Sequence, residues 1–247
     1  MEFLNKTRDQ ILNRLLELER VLEIGPFDRP LLQGNNVSYL DALSTDELRD
    51  RAHKIEDRDP AGVPEIDFVG TDGVQKATNH CKFDAIISAH LIEHQPDLIG
   101  HIEDILCSLV PGGIYVAIMP DKFKCFDYYL PESEIPEILA AYYEHRIKPG
   151  LRSVIEHRAF TDHNFNSLDS VNPLRSSTKE RTAQIQDAVQ EWQNSVYVDV
   201  HVWQFSKISL YRIMEFIRHS EICSVEFEFV VEQRQGELEL IIRSKGL

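Results

Sequence analysis

The sequence predicts a doubly wound α/β fold, in which helices cover both faces of a mostly parallel sheet. Short apolar runs alternate with polar or helical stretches through the first half of the chain, which is typical of buried parallel strands joined by helices. Two β-rich runs lie close together near the carboxyl end and predict an antiparallel hairpin. The seven predicted strands are 21–24, 37–40, 66–69, 83–88, 114–118, 224–231 and 237–243.

The helices are predicted from apolar residues that recur at helical spacing. Near the amino terminus, Leu4, Ile11, Leu15 and Leu18 follow this spacing and predict an amphipathic helix over 3–18 that packs on the core. The remaining predicted helices lie within 96–109, 135–145, 179–192 and 209–218.

The length suits a single domain. A chain of 247 residues with 43% hydrophobic and 27% charged residues has the composition of a globular protein. We therefore expect one domain over 1–247. Its expected parts are an amino-terminal helix in 1–19, a sheet core in 20–122, an insertion in 123–199 that acts as a lid, and a closing helix with two strands in 200–247.

The charge argues against nucleic acid as a partner. Lys and Arg total 26 against 41 for Asp and Glu, a net charge of -15, and no basic run marks a groove for phosphates. The amino-terminal stretch lacks the apolar core of a signal peptide, and no stretch reaches about 18 apolar residues. These observations predict a cytoplasmic protein without a membrane span, and they leave a homo-oligomer open.

Acidic residues and glycines stand at the ends of the first three predicted strands. Glu23 and Gly25 end the first strand, Asp41 ends the second, and Asp72 with Gly73 follows the third. Open α/β sheets bind ligands at the carboxyl ends of their strands, where glycine lets the main chain approach a ligand closely. We therefore expect a binding site there.

The same strand ends argue against a dinucleotide. The segment 25–30 lacks the G-x-G-x-x-G pattern that wraps a pyrophosphate on a helix amino terminus. Three carboxylates would also repel phosphates. A cofactor without phosphate fits better, and S-adenosylmethionine carries a sulfonium and an ammonium group instead.

At this point the sequence resembles the class I S-adenosylmethionine-dependent methyltransferases, and in particular a small branch associated with bacterial surface-glycan enzymes. The motifs that carry the resemblance occur in order over residues 20–127, and the later segment 201–203 also looks similar. These motifs are Val21–Pro26, Tyr39–Asp41, Phe83–His94, Pro111–Gly113 and Pro120–Lys122.

The resemblance implies a Rossmann-like sheet of seven strands and a set of cofactor contacts. The implied contacts are Glu23, Gly25 and Pro26 at the methionine end, Asp41 at the ribose, Asp72 and Gly73 near adenine, and Ser88, Ala89 and His90 as the wall beside the sulfonium. One position departs from the family pattern, because Phe27 replaces the usual second glycine of the first loop.

The implied activity is methylation of a hydroxyl group on a sugar, a glycan or a small molecule. A general base would assist such a transfer, and the candidates are His90, Asp121 and His163, in falling order. The alternative is a non-catalytic binding module that keeps the fold for interaction. The three strand-end carboxylates argue against that alternative, because a module without cofactor has no need of them.

Two patterns raise the question of a metal. Residues 90–94 match H-x-x-E-H, in which both histidines must share one face of a helix, but here the motif directly follows a strand and meets Pro96. The acids Asp121, Asp127 and Glu132 could bind a divalent cation, although acids after a last strand are more often solvated. The sequence therefore predicts no metal ligand.

Overall fold

The computed structural model describes residues 6–161 and 177–246, and it confirms the α/β fold with a seven-stranded sheet. The strand order is β3-β2-β1-β4-β5-β7-β6. Strands β1 to β5 pair in parallel, and β7 runs antiparallel to both β5 and β6. The strands are β1 (Val21–Ile24), β2 (Val37–Asp41), β3 (Phe68–Val69), β4 (Phe83–Ala89), β5 (Leu109–Pro120), β6 (Glu226–Arg234) and β7 (Glu237–Gly246).

The described helices flank this sheet, and polar side chains begin several of them. Thr7 with Gln10, and Ser44 with Glu47, form reciprocal capping boxes at the starts of α1 and α2. The helices are α1 (Arg8–Leu15), α2 (Thr45–Ala52), α3 (Val74–Ala77), α4 (Leu98–Ser108), α5 (Ile135–Tyr143), α6 (Leu151–Ala159), α7 (Thr178–Asn194) and α8 (Lys207–His219). Short 3₁₀ turns occupy Pro60–Gly62, Ile92–His94 and Lys122–Lys124.

Alternation along the strands sends side chains into two cores, one on each face of the sheet. In β4, Ile86 enters the larger core, which α4 and α8 cover, whereas Ala85 and Ile87 enter the smaller core, which α1 covers. Because parallel strands are buried on both faces, their sequences read as nearly continuous apolar runs. None of the described helices is long and apolar enough to cross a membrane.

The structure departs from the sequence-based expectations in several places. Helix α1 is shorter than the predicted 3–18, and only the last two residues of the predicted third strand pair with β2. Helices α2, α3 and α6 are not among the predicted helices. The segment 123–199 is also not uniformly peripheral, because Ile138 and Ala141 of α5 are fully buried in the larger core.

Candidate cofactor and acceptor site

The ends of β1, β2 and β4 meet where the order of the sheet reverses. Strand β1 lies between β2 and β4, with Ile24 beside Ser88. Just beyond β1, the amide of Gly25 donates to the carbonyl of Leu40 at 2.9 Å, which brings Gly25 next to Asp41. Ligands of open α/β sheets bind in the crevice at such a switch point. The structure thus brings Gly25, Asp41 and the end of β4 together.

Gly25 leaves its side of this crevice open. It is exposed and has a φ of +71°, a conformation that side chains with a Cβ rarely adopt. An added Cβ would meet only Leu91 Cδ1, at 4.0 Å. The main chain at Gly25 can therefore approach a ligand closely.

Phe27 adopts a left-handed backbone conformation. Its φ is +44°, which is uncommon for a bulky residue. The ring packs on the small cluster that includes Leu48, and the guanidinium of Arg58 lies 5.0 Å from its centroid. Phe27 therefore occupies a left-handed position that a glycine would adopt with less strain.

Glu23 binds the loop that follows β1. Only 2% of the residue is exposed, and its two carboxylate oxygens accept the amides of Leu31 at 2.7 Å and Leu32 at 2.9 Å. Burial raises the pKa of Glu23 to about 7, against the lowering effect of these two hydrogen bonds. Glu23 thus fixes the backbone of the loop after β1 from its buried side.

Asp41 is half-buried at the end of β2. Its Oδ1 accepts the amide of Leu43 at 3.2 Å, and burial raises the pKa of the carboxyl above its usual value. A carboxylate beside the Gly25 turn can accept hydrogen bonds from two neighbouring hydroxyl groups.

Asp72 and Gly73 have partners within the protein. Asp72 is exposed and lies 2.5 Å from the ammonium of Lys76, which lowers the pKa of the carboxyl. Gly73 has a φ of +95°, and an added Cβ would lie 3.0 Å from Asp104 Oδ2. Asp104 accepts the amide of Val74, the first residue of α3. The close approach of Asp104 therefore accounts for the glycine at position 73.

The wall at the end of β4 is formed differently from the expectation. The hydroxyl of Ser88 lies 2.8 Å from the hydroxyl of Tyr115 in the buried interior. The side chain at position 88 therefore points away from the crevice. The main chain of this segment, Ala89 and His90 remain to form the wall.

His90, the first candidate base, lies at the mouth of the crevice with a φ of +50° and 54% of its side chain exposed. Its Nε2 is 2.9 Å from Glu237 Oε1 and its Nδ1 is 3.5 Å from Glu93 Oε1. Both carboxylates raise the pKa of the imidazole, Glu93 most. Arg8 also binds Glu237, at 2.7 Å.

The second candidate base, Asp121, has a structural role instead. Asp121 is buried, and its carboxylate accepts the amide of Phe123 at 2.9 Å and the side-chain amide of Gln233. These contacts fasten the β6–β7 hairpin to the end of β5, which is a structural task. His163 lies outside the described residues.

A cluster of metal-binding side-chain types, which the sequence analysis missed, lies beside this wall. One ring nitrogen each of His94 and His201 and a carboxylate oxygen of Glu93 lie within 4.8 Å of one another. His201 Nδ1 is 2.6 Å from Asp127 Oδ2. Of the three acids considered for a divalent cation, only Asp127 contacts this cluster. Asp121 holds the β6–β7 hairpin, and Glu132 is exposed. The H-x-x-E-H spacing drew attention to Glu93 and His94, but it could not show that His201, from a distant segment, lies beside them.

A cavity of about 130 Å³ is lined in part by Val202, the residue that follows His201 in the sequence. The amide of Val202 donates to the carbonyl of Glu93 at 2.7 Å. The other lining side chains are mostly polar or charged, and they include Glu137, Arg152 and Glu156. The cavity could hold a polar group.

Comparison with known proteins gives a likeness of fold. No family model and no curated protein matches the chain. Solved structures with a similar fold include the DhpI–SAH complex (14% identity, TM-score 0.45, 94% of this chain and 81% of that chain). Two others are the plantazolicin methyltransferase BpumL in complex with SAH (9%, 0.44, 95% and 80%) and the CurJ carbon methyltransferase (12%, 0.41, 92% and 48%). At these identities and scores the likeness does not extend to activity.

Proposed function

We propose that this protein is an S-adenosylmethionine-dependent methyltransferase that acts on a hydroxyl group. The observation that carries the proposal is the meeting of the open, left-handed turn at Gly25 with the carboxylate of Asp41 at the switch point of the sheet. A crevice of this kind suits an adenosyl ligand that has hydroxyl groups and no phosphate.

The residues present fit that cofactor. Gly25 has no Cβ to obstruct the ligand. The buried carboxylate of Glu23 holds the loop 25–32 through the amides of Leu31 and Leu32. Asp41 would accept the ribose hydroxyls. Asp72 is the weakest member of the expected set, since Lys76 already neutralises it.

When bound, the cofactor supplies a methyl carbon activated by the sulfonium. The protein's task is then to align the acceptor oxygen with that carbon and to receive the hydroxyl proton. His90 is the candidate base, because it stands next to Ala89 at the end of β4 and is half exposed. Glu237 fixes its ring through Nε2.

The acceptor class is a polar, hydroxylated molecule, either a sugar or glycan or another small metabolite. Support comes from the polar lining of the cavity that Val202 lines, where Arg152 lies among acidic side chains. The net charge of -15 disfavours phosphate-rich acceptors such as nucleic acid.

The proposal is tested with labelled S-adenosylmethionine and a panel of sugars, sugar nucleotides and small hydroxylated metabolites. We expect label transfer to one class by the wild type and none by Asp41→Ala. S-adenosylhomocysteine at about 100 times its dissociation constant should also stabilise the wild type by roughly 2.7 kcal/mol. Stabilisation without transfer to any acceptor would favour the non-catalytic module, and no stabilisation would contradict the cofactor assignment.

A further inference from the structure

We propose that Glu93, His94 and His201, which we call the Glu–His cluster, bind a divalent transition-metal ion, with Zn²⁺ the best match to the donor atoms. The three side chains offer two imidazole nitrogens and a carboxylate, with the donor atoms within 4.8 Å of one another. Imidazole donors favour zinc and its neighbours over magnesium or calcium.

The strongest support is the state of Glu93. It is 1% exposed, and neither of its carboxylate oxygens has a hydrogen-bond partner in the described part of the chain. His90 Nδ1 and His94 Nε2 lie only at ion-pair distances, 3.5 and 4.0 Å from Oε1. A buried carboxylate without hydrogen bonds is destabilising, and a bound cation would neutralise it.

His201 is oriented as metal ligands commonly are, and His94 has a carboxylate near one ring nitrogen. His201 Nδ1 lies 2.6 Å from Asp127 Oδ2, and His94 Nδ1 lies 3.0 Å from Asp199 Oδ1. A carboxylate at one ring nitrogen fixes the tautomer and leaves the other nitrogen for a metal. One such carboxylate–histidine pair, His201 with Asp127, therefore lies beside Glu93, whereas His94 Nδ1 is close to Asp199 but makes no hydrogen bond in the described part of the chain.

The main chain builds the cluster from two distant segments. The amides of Val202 and Trp203 both donate to the carbonyl of Glu93, at 2.7 and 3.1 Å. The indole of Trp203 donates to the carbonyl of Gln95 at 2.7 Å. These bonds hold the segment that carries His201 against the turn Ile92–His94, so the donor atoms are held together without a ligand.

The cluster differs from the site that H-x-x-E-H implies in a helix. His90 and His94 are not on one helical face, because residues 92–94 form a 3₁₀ turn and His90 binds Glu237. The first histidine of the motif is replaced by His201 from far along the chain. We infer a metal where the sequence predicted none, and the ion would lie beside the wall of the proposed acceptor site.

Asp127 supplies a further oxygen near the cluster. Its Oδ1 is buried without a hydrogen-bond partner in the described residues. One of its carboxylate oxygens also lies within 4.8 Å of the Sγ of Cys125 and of a ring nitrogen of His201. Asp127→Asn should weaken metal binding by about 10- to 100-fold, as loss of a carboxylate behind a ligating histidine does.

The test uses the full chain, stripped with a chelator and titrated with Zn²⁺ and with Co²⁺ as a spectroscopic probe. We expect one tight Zn²⁺ per chain, a raised melting temperature, and visible Co²⁺ absorption that Zn²⁺ abolishes. Glu93→Gln, His94→Gln and His201→Gln should each lose the tight binding. Glu93→Gln should in addition raise the melting temperature of the metal-free protein, since it removes the buried charge.

His219→Gln is the matched control. His219 is exposed on α8 beside Glu215, so this substitution removes one imidazole away from the Glu–His cluster. It should bind Zn²⁺ as the wild type does. The proposal is overturned if the wild type binds neither ion tightly, or if folded Glu93→Gln and His201→Gln bind both ions unchanged. Circular dichroism establishes whether each variant is folded. If a variant unfolds, the presence or absence of Co²⁺ absorption in the wild type tests the proposal. Because binding is measured without cofactor, its outcome is separate from that of the proposed methyl transfer.

Discussion

His90 and Glu237 lie 147 residues apart in the sequence, yet His90 Nε2 is 2.9 Å from Glu237 Oε1. This contact joins the end of β4, in the first half of the chain, to the first residue of β7. The closing hairpin therefore positions the candidate base. Arg8 of α1 binds the same carboxylate, so the amino-terminal helix also contributes.

Replacing His90 tests its role in proton transfer. With an acceptor from the panel, His90→Ala should lower kcat by about 10² to 10⁴ and leave the affinity for S-adenosylhomocysteine within a few-fold. Asp121→Asn is the comparison. It should lower stability through the hairpin contact with Gln233 and keep most of kcat. Steady-state kinetics check both, and an unchanged kcat in His90→Ala would rule out this base.

The turn at Gly25 offers a test of close approach. Gly25→Ala forces a side chain into a φ of +71° and should cost about 1 kcal/mol of stability. It should also weaken S-adenosylhomocysteine binding by about tenfold or more, because the Cβ points into the crevice. Calorimetric titration measures the affinity.

Gly112→Ala is the matched control for this variant. Gly112 has a φ of +83° and no atom within 4 Å of an added Cβ, so the strain is similar. It lies at the opposite end of β5 from Pro120 and should leave the affinity unchanged. Equal losses of affinity in the two variants would show that strain, and not contact with the ligand, is responsible.

Glu23 should make the stability of the free protein depend on pH. Its folded pKa of about 7 exceeds its usual 4.5, so the folded state holds a proton that the unfolded state has released between these values. Stability from this group is therefore present below that window and lost as the pH rises through it. From about pH 5 to about pH 8, the wild-type free energy of unfolding should fall by on the order of 2 kcal/mol relative to Glu23→Gln.

Urea unfolding of both proteins across this range checks the prediction, since groups common to both cancel in the difference. If the free energy of unfolding of the wild type relative to Glu23→Gln stayed constant or rose with pH, the folded-state pKa of Glu23 would not be raised and the prediction would be wrong.

Trp203 should be the more costly of the two tryptophans to replace. It is 1% exposed, and its indole donates to Gln95 at 2.7 Å. Trp203→Phe leaves that carbonyl without its partner and should cost about 2 to 4 kcal/mol. Trp192→Phe removes a similar bond to Pro149, at 2.9 Å, from the half-buried side of α7, and should cost about 1 kcal/mol. Urea unfolding compares them, and the reverse order would contradict the account of how residues 201–203 are held.

The fold could be predicted from the sequence because its strands are buried on both faces. Val21–Ile24 is buried throughout and was predicted to the residue, whereas the half-exposed Phe68–Val69 was predicted too long. Helix α6 gave a weak signal, since polar residues such as Ser153 and His157 stand among its buried positions. Helical spacing also could not show that α5 belongs to the larger core.

The candidate site could be predicted only in part. The position of a strand end follows from the local sequence, whereas the direction of a side chain depends on contacts with distant segments. Gly25 and Asp41 lie where the sequence predicts them, next to each other at the switch point. The inward turn of Ser88 depends on Tyr115 of a neighbouring strand, and the closeness of Gly73 to Asp104 depends on the packing of α3 on α4. The contact of His201 with Asp127 likewise exists only in the folded chain.

The central claim is that Asp41 holds a ribose at the end of β2, and titration with S-adenosylhomocysteine tests it most directly. We expect the wild type to bind one equivalent and Asp41→Asn to bind about 10- to 100-fold more weakly, since hydrogen bonds to a charged acceptor are lost. Asp46→Asn, at a side chain that is 96% exposed on nearby α2, should bind as the wild type does. Equal affinity in the wild type and Asp41→Asn, or no binding by the wild type, would contradict the account.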